Sequence, residues 1–370
     1  MPRVELKNIS HSYELGYCEV LPADCDMSSG FVIKDLDLTW EDGTANALLG
    51  PSGCGKTTIL NIVSGLLKPT MGSILFDGKD VTALSPMKRH LAQVFQFPVV
   101  YDTMSVFDNL AFPLKNSGVP KDKIRKRVEE IAEILELTPL LRVSSGRITQ
   151  AEKQKVSLGR GIVREDTAVI LLDEPLTVID PKEKYILQRK LREVQRKLKI
   201  TMIYVTHDQH EALTFADYVA VMKDGVVVQN GTPADLHSEP QSPFIGYFIG
   251  SPGMNLLECS MKGNDLDLHG FNLRISPEMK AKLDRSISPF QFGIRPEFVE
   301  PGREQKGDRI PMNVTLIENM GAYKILNLTS NGIRIKSRLP ATEKVSVGDR
   351  LWVGFPEDKI KIFKDNKRVF

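Results

Sequence analysis

Residues 50–58 read Gly50-Pro51-Ser52-Gly53-Cys54-Gly55-Lys56-Thr57-Thr58, a glycine-rich run that closes on Lys-Thr-Thr. Gly50, Gly55, Lys56 and Thr57 stand at the spacing of a phosphate-cradling loop. Glycines let the backbone approach phosphate oxygens, and the N–H groups that open the following helix then point at the ligand. Asn46-Ala47-Leu48-Leu49 reads as a buried strand entering the loop, and Thr58 to Leu67 as a helix leaving it. In that frame Lys56 reaches the β- and γ-phosphates of a nucleoside triphosphate and Thr57 ligates Mg²⁺.

Upstream, residues 3–13 alternate as an edge-type strand ending at Tyr13, an aromatic platform for a purine, with Tyr17 as its competitor. Glu14 to Gly30 reads as loop, Phe31 to Trp40 as a second strand and Glu41-Asp42-Gly43 as a turn. Downstream, Gly72 to Phe76 and His90 to Phe95 read as strands, the latter running out into Gln96. An amide there offers an acceptor and two donors, enough to reach both Mg²⁺ and an attacking water. Ser105 to about Leu141 turns helical, with Ile131, Ile134 and Leu135 on one face and a solvated basic run at its start.

Ala168 to Leu172 is a continuous apolar strand of the kind buried in a parallel sheet, and it ends in Asp173-Glu174. Asp173 is placed to hold the magnesium shell, and Glu174 to orient or deprotonate a water attacking the γ-phosphate. Asp180-Pro181 supplies an N-cap and first helical residue, followed by a stripe of Leu187, Leu191, Val194 and Leu198. Met202 to Val205 is a further buried strand, which puts His207 at the ligand edge of the sheet.

The 370 residues suffice for one large domain and one smaller one. With 49 basic and 47 acidic residues and no long single-sign block, nothing favours a nucleic-acid partner. The four cysteines lack zinc-ligand spacing and one lies inside the phosphate loop, which fits a reducing cytoplasm. No stretch approaches the ~18 uninterrupted apolar residues of a membrane span.

A phosphate loop, a glutamine after a strand, a strand ending in Asp-Glu and a histidine after the next strand together resemble the ATPase subunit of an ABC transporter. The resemblance implies an α/β P-loop NTPase domain over residues 1–240 with a helical subdomain at about 97–163. It makes Gln96 the Q-loop, Glu174 the catalytic base, His207 the switch histidine and residues 176–180, ending at Asp180, the D-loop. Two such subunits close face to face in this family, each phosphate loop being completed by the partner's signature segment. Residues 248–255 and Gly293-Ile294-Arg295-Pro296-Glu297 resemble landmarks of the carbohydrate-uptake importers. There a regulatory domain follows, and the short alternating runs beyond residue 256 fit a small all-β, OB-like domain over 241–370. The stretches 93–114, 154–166 and 173–181 are most similar to one of the two ATPase subunits of bacterial glycerol importers. Implied with them are ATP and Mg²⁺, two transmembrane permeases, indirectly a periplasmic solute-binding protein, and a peripheral place on the cytoplasmic face of the inner membrane.

One segment departs from the family. The signature LSGGQ falls on Ile148-Thr149-Gln150-Ala151-Glu152, positioned by Gln154-Lys155 and residues 158–161. Both glycines are replaced by residues with a Cβ, and Glu152 adds a carboxylate that opposes closure on a polyanion by about 1 kcal/mol. Thr149 and Glu152 instead have the Thr-x-x-Glu spacing of a capping box. The expectation is a subunit that hydrolyses ATP at its own loop, donates poorly to a partner, and pairs with a second, non-identical ATPase. The alternatives are a homodimeric ATPase of a sugar or glycerol-3-phosphate importer, or a nucleotide-switched regulatory subunit. A single cassette without long coiled coils disfavours an ATPase working on DNA or ribosomes.

Overall fold

The computed structural model describes residues 2–15, 30–283 and 289–370. Tyr17, Cys18 and Cys25 lie outside the described residues, as does most of the stretch read as loop. Two compact units partition the chain, Met1–Pro233 and Ala234–Phe370.

The first unit runs β1 (Val4–His11), β2 (Ile33–Trp40), β3 (Ala45–Leu49), α1 (Lys56–Ser64), β4 (Met71–Phe76), β5 (Lys79–Asp80) and β6 (Leu91–Val94). It continues through α2 (Val106–Asn116), α3 (Lys121–Ile134), α4 (Gln150–Ile162), β7 (Val169–Asp173), α5 (Pro181–Leu198), β8 (Thr201–Thr206), α6 (Gln209–Phe215), β9 (Tyr218–Lys223) and β10 (Val226–Gly231). A small antiparallel sheet has the order β2-β1-β4-β5, and a larger one the order β10-β9-β3-β8-β7-β6. Neighbours from β9 to β6 in the larger sheet are parallel. Every residue of β3, β7 and β8 is buried, which is why β7 reads as an unbroken apolar run up to Asp173 and the others carry few polar residues, Asn46, Thr201 and Thr206. One apolar cluster joins them to α1 and the small sheet through Leu48, Ile59, Val63, Leu171, Ile203, Leu6 and Ile33.

Three expectations change. β1 is no edge strand: it pairs with β2 on one side and β4 on the other, and its buried Val4, Leu6 and Ile9 are the core-facing set of an interior strand. The helical stretch from Ser105 is two helices, because Gly118 with a φ of 71° ends the first and Pro120 caps the second. In α5, Leu187, Leu191 and Val194 are buried but Leu198, the last helical residue, is half exposed.

The second unit has a six-stranded and a five-stranded antiparallel sheet curled around a shared core that includes Phe292, Ile294, Leu326, Leu328, Val353 and Ile362. Arg295 is buried, and its guanidinium donates to the carbonyls of His237 at 2.7 Å and Ile249 at 2.6 Å. Burial lowers its pKa to about 10. Two sequence landmarks, residues 248–255 and 293–297, are thereby stitched together by one side chain.

His11 closes β1 with 4% of its surface exposed, and neither ring nitrogen has a hydrogen-bond partner among the described residues. Its ring stands edge-on to Tyr13, with centroids 4.8 Å apart. Burial holds its pKa below the ordinary 6.5. The unfolded chain therefore takes up a proton that the folded chain resists, so this contribution is complete above 6.5 and is lost as the pH falls. Urea unfolding of wild type and His11→Phe at about pH 8 and about pH 5.5 should show the wild type losing ground to the variant on acidification. An unchanged difference would contradict this account of His11.

Candidate nucleotide site

The parallel register decides which residues meet. Leu49 lies opposite Thr206, and Asp173 opposite Val205, so Gly50, Glu174 and His207 leave the sheet side by side. Val94 lies opposite Leu172, which brings Gln96, two residues beyond β6, to the same edge. Gln96 is half-buried and makes no hydrogen bond among the described residues.

Residues 50–58 form a cradle that admits no side chain at Gly50 or Gly55. A Cβ at Gly50 would stand 2.4 Å from the Met222 carbonyl oxygen and 2.8 Å from Cys54 Sγ. Gly55, the N-cap of α1, has a φ of 100° and offers no side-chain cap, which leaves the first N–H groups of the helix open toward the loop. Pro51, Ser52 and Gly53 are exposed at the mouth, while Cys54 is buried beneath it. Lys56 is buried, and its ammonium donates to the carbonyls of Gly50 and Pro51, each at 2.8 Å. Its third contact is the Cys54 sulfur at 3.8 Å, and no carboxylate pairs with it among the described residues, so a buried cation stands uncompensated beside the open N-terminus of α1. A polyphosphate fits that environment.

Thr57 is exposed and its hydroxyl donates to Asp173 Oδ1 at 3.4 Å. Burial pushes the Asp173 carboxyl above its usual range, with the Thr57 hydrogen bond pulling back and the charge of Glu174 adding to the rise. A hydroxyl and a buried carboxylate side by side are a donor set that suits Mg²⁺. Glu174 follows in a left-handed conformation, φ 44°, unusual for a residue with a Cβ and indicative of a constrained site. Its backbone N–H donates to the Val205 carbonyl, and its Oε1 lies 3.0 Å from His207 Nδ1. The histidine is half exposed, the carboxylate mostly covered. Tyr13 is 64% exposed and its hydroxyl is 3.0 Å from that of Thr58 on α1.

The remaining sequence-read residues divide. Asp180 caps α5, accepting from the Lys182 N–H at 3.0 Å. Ile148, Thr149, Gln150, Ala151 and Glu152 make no hydrogen bond to residues 50–58 of the same chain among the described residues. They do close a capping box at the start of α4. Thr149 Oγ1 accepts from the Glu152 N–H at 3.2 Å, and Glu152 Oε2 accepts from the Thr149 N–H at 2.7 Å and its hydroxyl at 2.9 Å. Missed by sequence reading were the buried Glu211, Tyr204 and Thr206 next to the His207 turn, with the partly exposed Lys184 paired to Glu211. No local signal marked them, since an acid in the first turn of a helix reads as a solvated partner of the helix dipole.

This phosphate loop, with its acidic strand exit and adjoining histidine on a parallel sheet, defines an ABC-type ATPase. The chain matches the ABC transporter family model over residues 33–177 and the TOBE domain model over 292–363. It is 39% identical to the sn-glycerol-3-phosphate import ATP-binding protein UgpC of Pectobacterium atrosepticum, over 90% of this chain and 92% of that one. It is 41% identical to the protein of the same name from Yersinia pestis, with the same coverage. A solved structure, cbiO1 from Clostridium perfringens, part of the ABC transporter complex cbiONQ, superposes with a TM-score of 0.56. The two are 28% identical, the match covering 64% of this chain and 90% of that one. The chain belongs to the ABC transporter ATPases of the carbohydrate-import type, which bind ATP with Mg²⁺ and hydrolyse it to power import. Among the described residues no helix is long and apolar enough to cross a membrane.

Gly50→Ala should lower affinity for a fluorescent ATP analogue at least about tenfold while leaving the circular-dichroism spectrum unchanged, because the added methyl displaces the loop rather than the sheet. Unaltered affinity would contradict the cradle geometry.

Proposed function

We propose that this chain is the ATP-hydrolysing motor of an importer for a three-carbon polyol or its phosphate ester, glycerol or sn-glycerol 3-phosphate. The observation that carries the motor reading is the Glu174 to His207 contact at the strand exits, beside the Thr57 to Asp173 pair. In this reading residues 50–58 hold the phosphates, and Thr57, Asp173 and Gln96 hold Mg²⁺. Bound Mg²⁺ neutralises charge building on the phosphate oxygens. Glu174 takes the proton of the attacking water, and His207 fixes the orientation of its carboxylate. Tyr13 stacks on adenine, and the segment ending at Asp180 faces a second ATPase. The relatives' names support the phosphate ester; the likeness of residues 93–114, 154–166 and 173–181 to glycerol-importer ATPases supports glycerol.

Permease docking is supported by the exposed apolar residues Phe95, Phe97, Val99 and Tyr101 flanking Gln96, a patch that water alone does not explain. Two permeases there would place the chain on the cytoplasmic face of the inner membrane, with a periplasmic binding protein supplying solute from the other side.

A finer reading concerns the partner ATPase. The capping box supports it, since the Thr149 hydroxyl and the Glu152 carboxylate are engaged with each other, and Gln150 and Ala151 stand where bare glycine backbone would meet the partner's γ-phosphate. A homodimer would then hold two loops with poor donors. A heterodimer gives this chain's Lys56 loop an intact signature from a non-identical subunit.

Glu174→Gln keeps the shape of the side chain and removes the base. In cells it should abolish uptake of labelled glycerol or sn-glycerol 3-phosphate, lowering ATP turnover about 100-fold or more while ATP binding persists. Uptake of neither solute by the wild type would sink the substrate assignment. Wild-type turnover in the variant would sink the role of Glu174.

A further inference from the structure

α6 begins immediately beyond His207, with Asp208 as its N-cap, and Glu211 lies in its first turn. Its side chain is buried, yet both carboxylate oxygens are occupied. Oε2 accepts from the Tyr204 hydroxyl and from the Thr206 hydroxyl, each at 2.8 Å, and Oε1 forms an ion pair with Lys184. The Thr206 oxygen that donates to Glu211 accepts in turn from the Asp208 N–H at 3.0 Å. Since a hydroxyl has one proton, Glu211 fixes the rotor of Thr206, and Thr206 closes the turn on either side of His207. A second tether runs through the backbone, where the Glu211 carbonyl accepts from Gln188 on α5 at 2.7 Å. Lys184 and Gln188 are one helical turn apart on the helix that Asp180 caps, so the His207 turn is anchored to α5 at two points.

With Glu211 buried and Lys184 partly exposed, the ion pair is weak evidence for stability, because desolvation offsets much of the attraction. Burial holds the Tyr204 phenol protonated far above its ordinary range, so it acts here only as a donor to Glu211. Two hydroxyls and an ammonium converging on one carboxylate orient the turn that carries His207.

We propose that Glu211 is a positioning residue for ATP hydrolysis, acting through Thr206 to hold His207 against Glu174 and through Lys184 to fix that turn to α5. The inference rests on the reading of His207 given above. Thr206→Val is the sharpest probe, because it replaces the hydroxyl with a methyl of similar size and suits a buried strand. Thr206→Ser restores the hydroxyl. In the membrane-purified assembly carrying the full chain, Glu211→Gln and Thr206→Val should lower kcat about 10- to 100-fold with the ATP KM within about twofold, and Thr206→Ser should stay within about threefold of wild type.

A second readout needs no turnover. The chain has six histidines, so histidine-selective labelling should resolve the His207 ring by NMR, and its signal should move in Thr206→Val and not in Thr206→Ser. The proposal is overturned if Thr206→Val and Glu211→Gln turn over ATP normally, or lose only ATP affinity, while His207→Ala is inactive. Full hydrolysis by His207→Ala would overturn both this proposal and the reading of His207 beneath it.

Discussion

The parallel register of β6, β7, β8 and β3 is the constraint on which the rest of the site depends. It sends four chain segments, separated by up to 157 residues between Gly50 and His207, out of the same sheet edge. No single segment binds a nucleotide. The loop supplies donors and a buried ammonium, β7 a buried carboxylate, and the β8 exit a histidine within hydrogen-bond reach of Glu174. Because β3, β7 and β8 are buried along their whole length, none can slip without exposing apolar surface, and the relative positions of Lys56, Asp173 and His207 follow from core packing.

Against that rigid edge stands a segment where local stability and phosphate binding compete. A glycine pair leaves backbone N–H groups bare for a partner's nucleotide, whereas Thr149 and Glu152 satisfy the same kind of orphan donors inside the helix. Such a cap stabilises a helix start by about 1 kcal/mol, and the groups that provide it are no longer free to meet phosphate. In the proposed reading the site at Gly50 to Thr58 is intact on its own side, and a second ATPase with a different signature completes it. The import motor and the altered signature are compatible once the two composite sites of the dimer are allowed to differ.

Much of this was legible in the sequence because the informative features are local. The spacing of Gly50, Gly55 and Lys56, the apolar run into Asp173-Glu174 and the Thr149-x-x-Glu152 cap each act over a few residues. Placing β1 required knowing its neighbours, since alternation looks the same in an edge strand and in the middle of a small sheet. The break at Gly118 was hidden by an apolar period that resumes on the far side of Pro120. Glu211 was missed for a deeper reason. An acid in the first turn of an amphipathic helix reads as a solvated dipole partner, and only the fold reveals that Tyr204, Thr206 and Lys184 enclose it.

The proposal most open to test is that this chain pairs its own complete phosphate loop with a signature segment from a non-identical ATPase, giving an asymmetric working state. Native mass spectrometry of the assembly purified from membranes through a tag on this chain measures that directly. One copy of this chain with one copy of a different ATPase beside the permeases is the predicted composition. Two copies of this chain and no second ATPase, in an assembly that hydrolyses ATP at full rate, would contradict the account.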